Sequence, residues 1–368
     1  MTDSAEKDSG DVLKHPEPDE PSTYDIYKAD ARNIPREDNS VDFVITSPPY
    51  WQKRDYGFDD QIGQEESPDE FIEAIIDCMD EWRRVLKPTG SLFLNIGDTY
   101  HKRSLRGIPG MLHQAAVEDG WLVRNTILWA KDGGMPEPAK NRLANRYEHI
   151  FHFTQNNSYY YDLFGYSNKY GNGSNPGDVW NIGFDRNTGG HLAPFPRELV
   201  ERALVLGCPP AVCSECGEPY TREMQRTTRL DTSRPQAKRA TELYEESDLT
   251  EEHIRAVQAV GISDAGKAME IQDGTGRNAD DVQKLADEAK EVLGGYFREF
   301  TFPIKETAGW SGCDCDAPTK PGTVMDPFMG SGTTLEVASN MGLSSVGVDL
   351  DPPENVQMPI TAAKQKQD

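Results

Sequence analysis

The segment Asp326-Pro327-Phe328-Met329-Gly330-Ser331-Gly332-Thr333-Thr334 decides the fold. It follows Thr323-Val324-Met325, an apolar run that predicts a strand, and it enters a predicted helix at Ser331-Gly332-Thr333-Thr334. The two glycines let the backbone turn tightly and approach a ligand, and the first helical turn presents unpaired amide donors. In a doubly wound sheet such a turn lies at the carboxyl ends of the strands, where nucleoside ligands sit. Ser345-Val346-Gly347-Val348 predicts the next strand, and Asp349 at its end is placed to meet ribose hydroxyls.

Phe43-Val44-Ile45 reads as a buried strand stopped by Thr46-Ser47-Pro48-Pro49-Tyr50-Trp51. Ser67-Pro68-Asp69-Glu70 is a capping box that opens a helix with Phe71, Ile72, Ile75, Ile76, Met79, Trp82 and Val85 on its apolar face. Pro88-Thr89-Gly90 is expected to end that helix. Strands are then expected at 91–96, 122–129 and 147–153, with helices at 111–118 and 196–206. This alternation predicts an α/β fold with a parallel-rich sheet. Residues 133–177 read as loops with some strand.

Residues 1–22 are polar, acidic and proline-containing, without the basic start and apolar stretch of a signal peptide, and read as a disordered lead-in. The expected core comprises residues 23–210 and 317–351, interrupted by a cysteine-bounded, mostly helical insert at 211–316 and followed by a loose tail at 352–368. The clearest helix of the insert starts at Asn278 and carries Val282, Leu285, Ala286, Ala289, Val292 and Leu293 on one face.

The full string from Asp326 to Thr334 resembles the cofactor signature of DNA amino-methyltransferases. The resemblance implies a Rossmann-like sheet that binds S-adenosylmethionine through Asp326, Phe328, Gly330, Ser331, Gly332, Thr333 and Asp349. Thr46 to Trp51 resembles the catalytic motif of the same family. An exocyclic amine is a poor nucleophile because its lone pair is conjugated with the ring. The Ser47 hydroxyl and Pro48 carbonyl can accept hydrogen bonds from it and localise that lone pair, and Pro48 and Pro49 hold the carbonyl in place. Tyr50 offers a face to an extruded base, with Trp51 as a helper.

In this family Ser-Pro-Pro-Tyr accompanies N4-cytosine and Asp-Pro-Pro-Tyr accompanies N6-adenine, so Ser47 favours cytosine, with adenine as the alternative. Arg54-Asp55-Tyr56-Gly57 also resembles the N4-cytosine enzymes. No Pro-Cys dipeptide is present, which argues against covalent C5 chemistry. The catalytic motif precedes the cofactor motif, an order that resembles the circularly permuted β class. Asp30 matches the family's acidic residue near the adenine, and Gly97-Asp98 matches another pocket element. Asp178-Val179-Trp180 and His191 to Pro196 resemble the segment that lines the methionine side, although His191 reads equally well as a structural histidine.

Net charge is −24, which taken alone opposes a nucleic-acid partner. The motifs favour the other reading, in which the acidity is a high-salt adaptation and local basic patches survive. Those patches are His101-Lys102-Arg103 through Arg106, Arg222 through Arg239, and Lys140, Arg142 and Arg146 ahead of Tyr159-Tyr160-Tyr161. With Trp51 and Arg54 they are the candidate contacts to double-stranded DNA. Resemblance to haloarchaeal modification methylases suggests a short palindrome such as CTAG. A homodimer is left open. No apolar run reaches the length of a membrane span, and a cytoplasmic location is the default. A non-catalytic DNA-binding relic and an RNA or protein methylase are the competing classes.

Cys213-x-x-Cys216 and Cys313-x-Cys315 supply four ligands for a tetrahedral structural zinc, with Cys208 as an alternate ligand and free thiols as the competing reading. Cys78 is expected in the core.

Overall fold

The computed structural model describes residues 16–133, 139–185, 196–264 and 280–353. The strands, in chain order, are β1 (Tyr24–Lys28), β2 (Val41–Thr46), β3 (Leu86–Ile96), β4 (Tyr100–His101), β5 (Ser104–Leu105), β6 (Leu122–Lys131), β7 (Tyr147–Thr154), β8 (Val179–Ile182), β9 (Val212–Cys213), β10 (Thr221–Arg226), β11 (Lys305–Ser311), β12 (Thr319–Lys320), β13 (Thr323–Asp326) and β14 (Ser344–Asp349). The helices are α1 (Pro68–Val85), α2 (Ile108–Glu118), α3 (Leu163–Tyr170), α4 (Arg197–Gly207), α5 (Pro235–Glu245), α6 (Glu251–Asp264), α7 (Asp280–Leu293) and α8 (Thr333–Asn340).

Eight strands form one sheet in the order β1-β14-β13-β2-β3-β7-β6-β8. The first five run parallel, β7 is antiparallel to both neighbours, and β8 is parallel to β6. Alternation along the strands assigns each residue a face. Val44, Leu92 and Leu94 join the core under α1 and α2. Phe43, Ile45 and Phe93 join the core under α3, α4 and α8. Both faces are therefore covered, which is why β2 is buried along its whole length.

Ser67 caps α1 through the capping box with Glu70, and the apolar face from Phe71 to Val85 packs on the sheet. The expected break at Pro88–Gly90 is not where the helix stops. Chain direction changes at Leu86, which already pairs with Val41, and Lys87–Gly90 bulge out before Ser91 pairs with Phe43. Strand β7 falls where a strand was expected at 147–153, whereas helix α3 lies in the stretch 133–177 that otherwise read as loop.

The chain divides into two compact units, Met1–Thr221 with Ser311–Asp368, and Arg222–Trp310. The second has its own core of Leu230, Ala237, Ile254, Val257, Ala286, Leu293 and Phe300, built on α5, α6, α7 and a 3-10 helix at Gly294–Thr301. Its paired strands β10 and β11 were not anticipated. Val292, expected on the apolar face of α7, is about half exposed. All four clustered cysteines belong to the first unit, two on each side of the inserted residues 222–310. The expected helix start at Asn278, the segment His191 to Phe195, the first fifteen residues of the lead-in and the tail beyond 353 lie outside the described residues. Among the described residues, no helix is long and apolar enough to cross a membrane.

Candidate active site

The carboxyl ends of β1, β14, β13 and β2 lie side by side, so the segments that leave them share one edge. An open cleft forms there, about 710 Å³ counted with its solvent-facing mouth. Ser47 and Pro49 from the end of β2 line it together with Phe328 and Gly330 after β13, Asp349 after β14 and Asp30 after β1. Two motifs nearly 300 residues apart in the chain thus wall one cavity, as a switch-point crevice requires. Tyr56, Phe58, Gln61 and Ile62 complete the wall from a loop that Arg32 holds through Asp60 O at 3.1 Å.

The glycine turn takes its shape from two left-handed residues, Gly330 at φ +48° and Gly332 at φ +84°, the latter capping α8. The Gly330 amide donates to Asp349 at 3.0 Å, which ties the turn to the next strand. Asp326 does not reach the cleft. It is buried beneath it, accepting hydrogen bonds from Thr46 Oγ1 (2.8 Å), Thr334 Oγ1 (2.6 Å) and the Phe328 amide (3.1 Å). Burial raises its pKa to about 6 against these bonds. Asp326 is therefore a positioning residue that locks the turn to β2. Ser331, Gly332 and Thr333 shape the entry to α8 and are not on the cleft wall, with Ser331 and Thr333 hydroxyls 3.3 Å apart. Asp30 chelates the Arg32 guanidinium, whose hydrogen bonds hold its carboxyl below the usual range.

Behind Ser47 lies a polar network. Ser47 Oγ donates to Tyr50 Oη at 3.3 Å, and Tyr50 Oη donates to Glu148 at 2.7 Å. Asn95 Nδ2 donates to Tyr50 Oη and Glu148, both at 2.9 Å, and more weakly to Ser47. Lys131 closes the network through an ion pair with Glu148. Burial, then the Glu148 charge, pushes the Tyr50 phenol well above its ordinary pKa, so it stays a neutral hydroxyl. Pro48 is buried and Tyr50 half-buried. A Cβ at Gly97 would come within 2.8 Å of the Tyr50 ring, so glycine there lets the ring settle. Asn95, Lys131 and Glu148 were missed in the sequence. The available signal was a lone Asn at the apolar end of β3 and the single acidic residue of β7.

Several expectations need correction. Trp51 is not a DNA contact: it is only 2% exposed, with its indole N–H donated to Glu65 O at 2.9 Å. The Asp98 carboxylate caps α2 through the Gly107 and Ile108 amides and is not on the cleft wall. Tyr160 is buried, and Tyr161 stacks on buried His152. Cys208 ends α4 in the core, apart from the other cysteines. Lys140, Arg142, Arg146 and Arg54 are exposed, with the Arg142 guanidinium 3.8 Å over the Tyr100 ring. Lys102 and Arg103 form the tip of the β4–β5 hairpin.

The Sγ atoms of Cys213, Cys216, Cys313 and Cys315 lie within 4.8 Å of one another, a donor set suited to a soft divalent metal. Hydrogen bonds to sulfur, first from the Cys216 amide, lower the Cys213 pKa to about 6.

A covered α/β sheet thus brings a glycine turn and a Ser-Pro-Pro-Tyr loop to the wall of one cleft. The chain belongs to the N6/N4 DNA methylase family, which matches residues 41–211 and 317–355. It is 33% identical over 235 residues to the type II methyltransferase M.Cfr9I of Citrobacter freundii, covering 55% of this chain and 78% of that protein. It is 34% identical over 208 residues to the type II methyltransferase M.XycI of Xanthomonas campestris pv. cyanopsidis, 48% of this chain and 69% of that one. Among solved structures, the PvuII DNA methyltransferase (cytosine-N4-specific) aligns with a TM-score of 0.51 and 14% identity, over 91% of this chain and 86% of that one, a likeness of fold. The family's cofactor is S-adenosylmethionine. The cleft fits it: an apolar wall at Phe328, a turn with no side chain at Gly330, and carboxylates at Asp349 and Asp30 for the polar end of a nucleoside.

Proposed function

We propose that this chain methylates N4 of cytosine within a short duplex DNA site, using a circularly permuted form of the methyltransferase sheet. The observation that carries this reading is the shared cleft of Ser47 with Phe328, Gly330 and Asp349. When bound, S-adenosylmethionine supplies an electrophilic methyl group. Phe328 and Gly330 would flank it, and Asp349 would accept from its hydroxyls.

The chain's own groups then act on the base. The Ser47 proton is directed at Tyr50, which leaves a Ser47 lone pair to accept from the target amine. The partly buried Tyr50–Asn95–Glu148 network holds that hydroxyl in one orientation before the base arrives, so little reorganisation is needed at the moment of transfer. The Pro48 carbonyl serves as the second acceptor, its backbone fixed by the ring. Extrusion of the base from the duplex gives access to this arrangement. Exposed Arg54, Lys140, Arg142 and Arg146 and the Lys102–Arg103 tip supply phosphate contacts in a chain whose overall charge would otherwise repel DNA.

Ser47 favours cytosine because the family pairs serine at this position with N4 chemistry. The test is mass analysis of nucleosides from DNA incubated with the chain and S-adenosylmethionine. N4-methylcytosine is the expected product, and N6-methyladenine as the sole product would overturn the cytosine assignment. Mapping modified positions by sequencing reads out the target, for which a palindrome such as CTAG is proposed.

A further inference from the structure

The four cysteines lie in the gap that the family match leaves between residues 211 and 317, so the methylase fold does not account for them. Local pairing brings them together. Strand β9 runs antiparallel to β12, with Cys213 opposite Thr319, and Val212 also bridges Pro219. The chain after Cys213 folds back sharply: the Gly217 amide donates to Cys213 O at 3.0 Å, and the Cys213 amide to Glu218 O at 2.9 Å. Gly217, at φ +73°, makes that turn. Four sulfurs within reach of one another, each able to give one ligand atom, make a donor set that a single tetrahedral cation can fill. All four thiols are free, so the cluster is not a pair of disulfides. Tetrahedral zinc–thiolate bonds would set the sulfurs about 3.8 Å apart, within the separations seen.

The knuckle is fastened to the amino ends of the strands that carry both motifs. Lys87 Nζ donates to Gly217 O at 3.2 Å and pairs with Asp42 of β2 at 2.6 Å, while Asp42 accepts from the Thr323 amide of β13 at 2.8 Å. The cleft lies at the opposite, carboxyl ends of those strands. A metal here is remote from the chemistry, and all four of its positions are filled by protein.

We propose that Cys213, Cys216, Cys313 and Cys315 bind one zinc ion in a closed, structural four-thiolate site that clamps the two chain segments between which residues 222–310 are inserted. The four thiols release their protons to solvent on binding, and Lys87 offsets part of the resulting negative charge.

The test uses the full chain purified without chelators. Elemental analysis is expected to find zinc close to equimolar with protein, and cobalt(II) reconstitution to give thiolate-to-metal charge-transfer bands with tetrahedral d–d bands. Cys216→Ser is expected to weaken zinc binding by about 100-fold or more in competition with a chelator, whereas Cys208→Ala leaves it unchanged. Should the Cys216 variant fail to fold, the cobalt spectrum of the unaltered chain decides. Absence of zinc together with absence of the charge-transfer bands, iron in place of zinc, or a disulfide between any two of the four under reducing conditions would overturn the proposal. None of these readouts depends on methyl transfer.

Discussion

Thr46 Oγ1 and Asp326 Oδ1 are 2.8 Å apart although 280 positions separate them in the chain. The bond joins the last residue of β2, immediately before Ser47, to the last residue of β13, immediately before the glycine turn. One buried carboxylate therefore sets the position of the Ser-Pro-Pro-Tyr loop relative to the glycine turn.

That carboxylate gives stability a pH signature. Its folded pKa of about 6 exceeds the ordinary value of 3.8, so between these values the folded chain holds a proton that the unfolded chain has released. Asp326's contribution is full below about pH 4 and declines as pH rises through about 6, a change of about 3 kcal/mol. Asp326→Asn removes the charge. Urea unfolding of both proteins from pH 4 to 7 should show the wild type losing ground to the variant across that window, and a constant difference would contradict the assignment.

On the proposed reading, Ser47→Ala removes the acceptor for the target amine without touching the core. Methyl transfer should fall by about 100-fold or more while cofactor binding and thermal unfolding stay near wild type. Single-turnover transfer from radiolabelled cofactor, alongside calorimetric titration, separates these effects. Loss of cofactor affinity equal to the loss of rate would show that Ser47 acts in binding.

Glu148 and Lys131 form a mostly buried pair at the back of the site. Glu148→Gln strands the Lys131 charge and should destabilise the fold by about 3 kcal/mol. Lys131→Met added to that variant should recover much of the loss. Denaturant melts of the two single variants and the double variant test this coupling; additivity would mean that the two groups are independent.

Trp51→Ala should behave as a core deletion, costing about 3–5 kcal/mol of stability. Arg142→Ala should instead leave melting unchanged, raise the KM for DNA and reduce the salt dependence of binding by about one counterion. Fluorescence anisotropy with labelled duplex at several salt concentrations reads the second effect, and unfolding curves read the first.

The sheet was largely legible because burial on both faces leaves an uninterrupted apolar strand such as Phe43-Val44-Ile45, and because Ser67 and Glu70 announce a helix in local chemistry. The cleft was legible through residues whose type answers to a ligand, Ser47, Phe328, Gly330 and Asp349. What escaped depends on tertiary neighbours. Trp51 adjoins the motif yet turns into the core, because its N–H finds Glu65 O rather than solvent. Asp326 sits within the motif but spends both oxygens on Thr46, Thr334 and a backbone amide. Asn95, Lys131 and Glu148 come from three different strands, and no spacing along one chain announces a network assembled across a sheet.

The Thr221 and Ser311 hydroxyls are 3.3 Å apart, at the point where the chain leaves for residues 222–310 and returns. Departure and re-entry through one doorway make that module a cassette. A few linking residues could seal the gap if it were excised, and a different cassette could be spliced in without shifting a single strand beneath Ser47. Sequence change can therefore accumulate in residues 222–310 at its own pace while the first unit keeps its geometry.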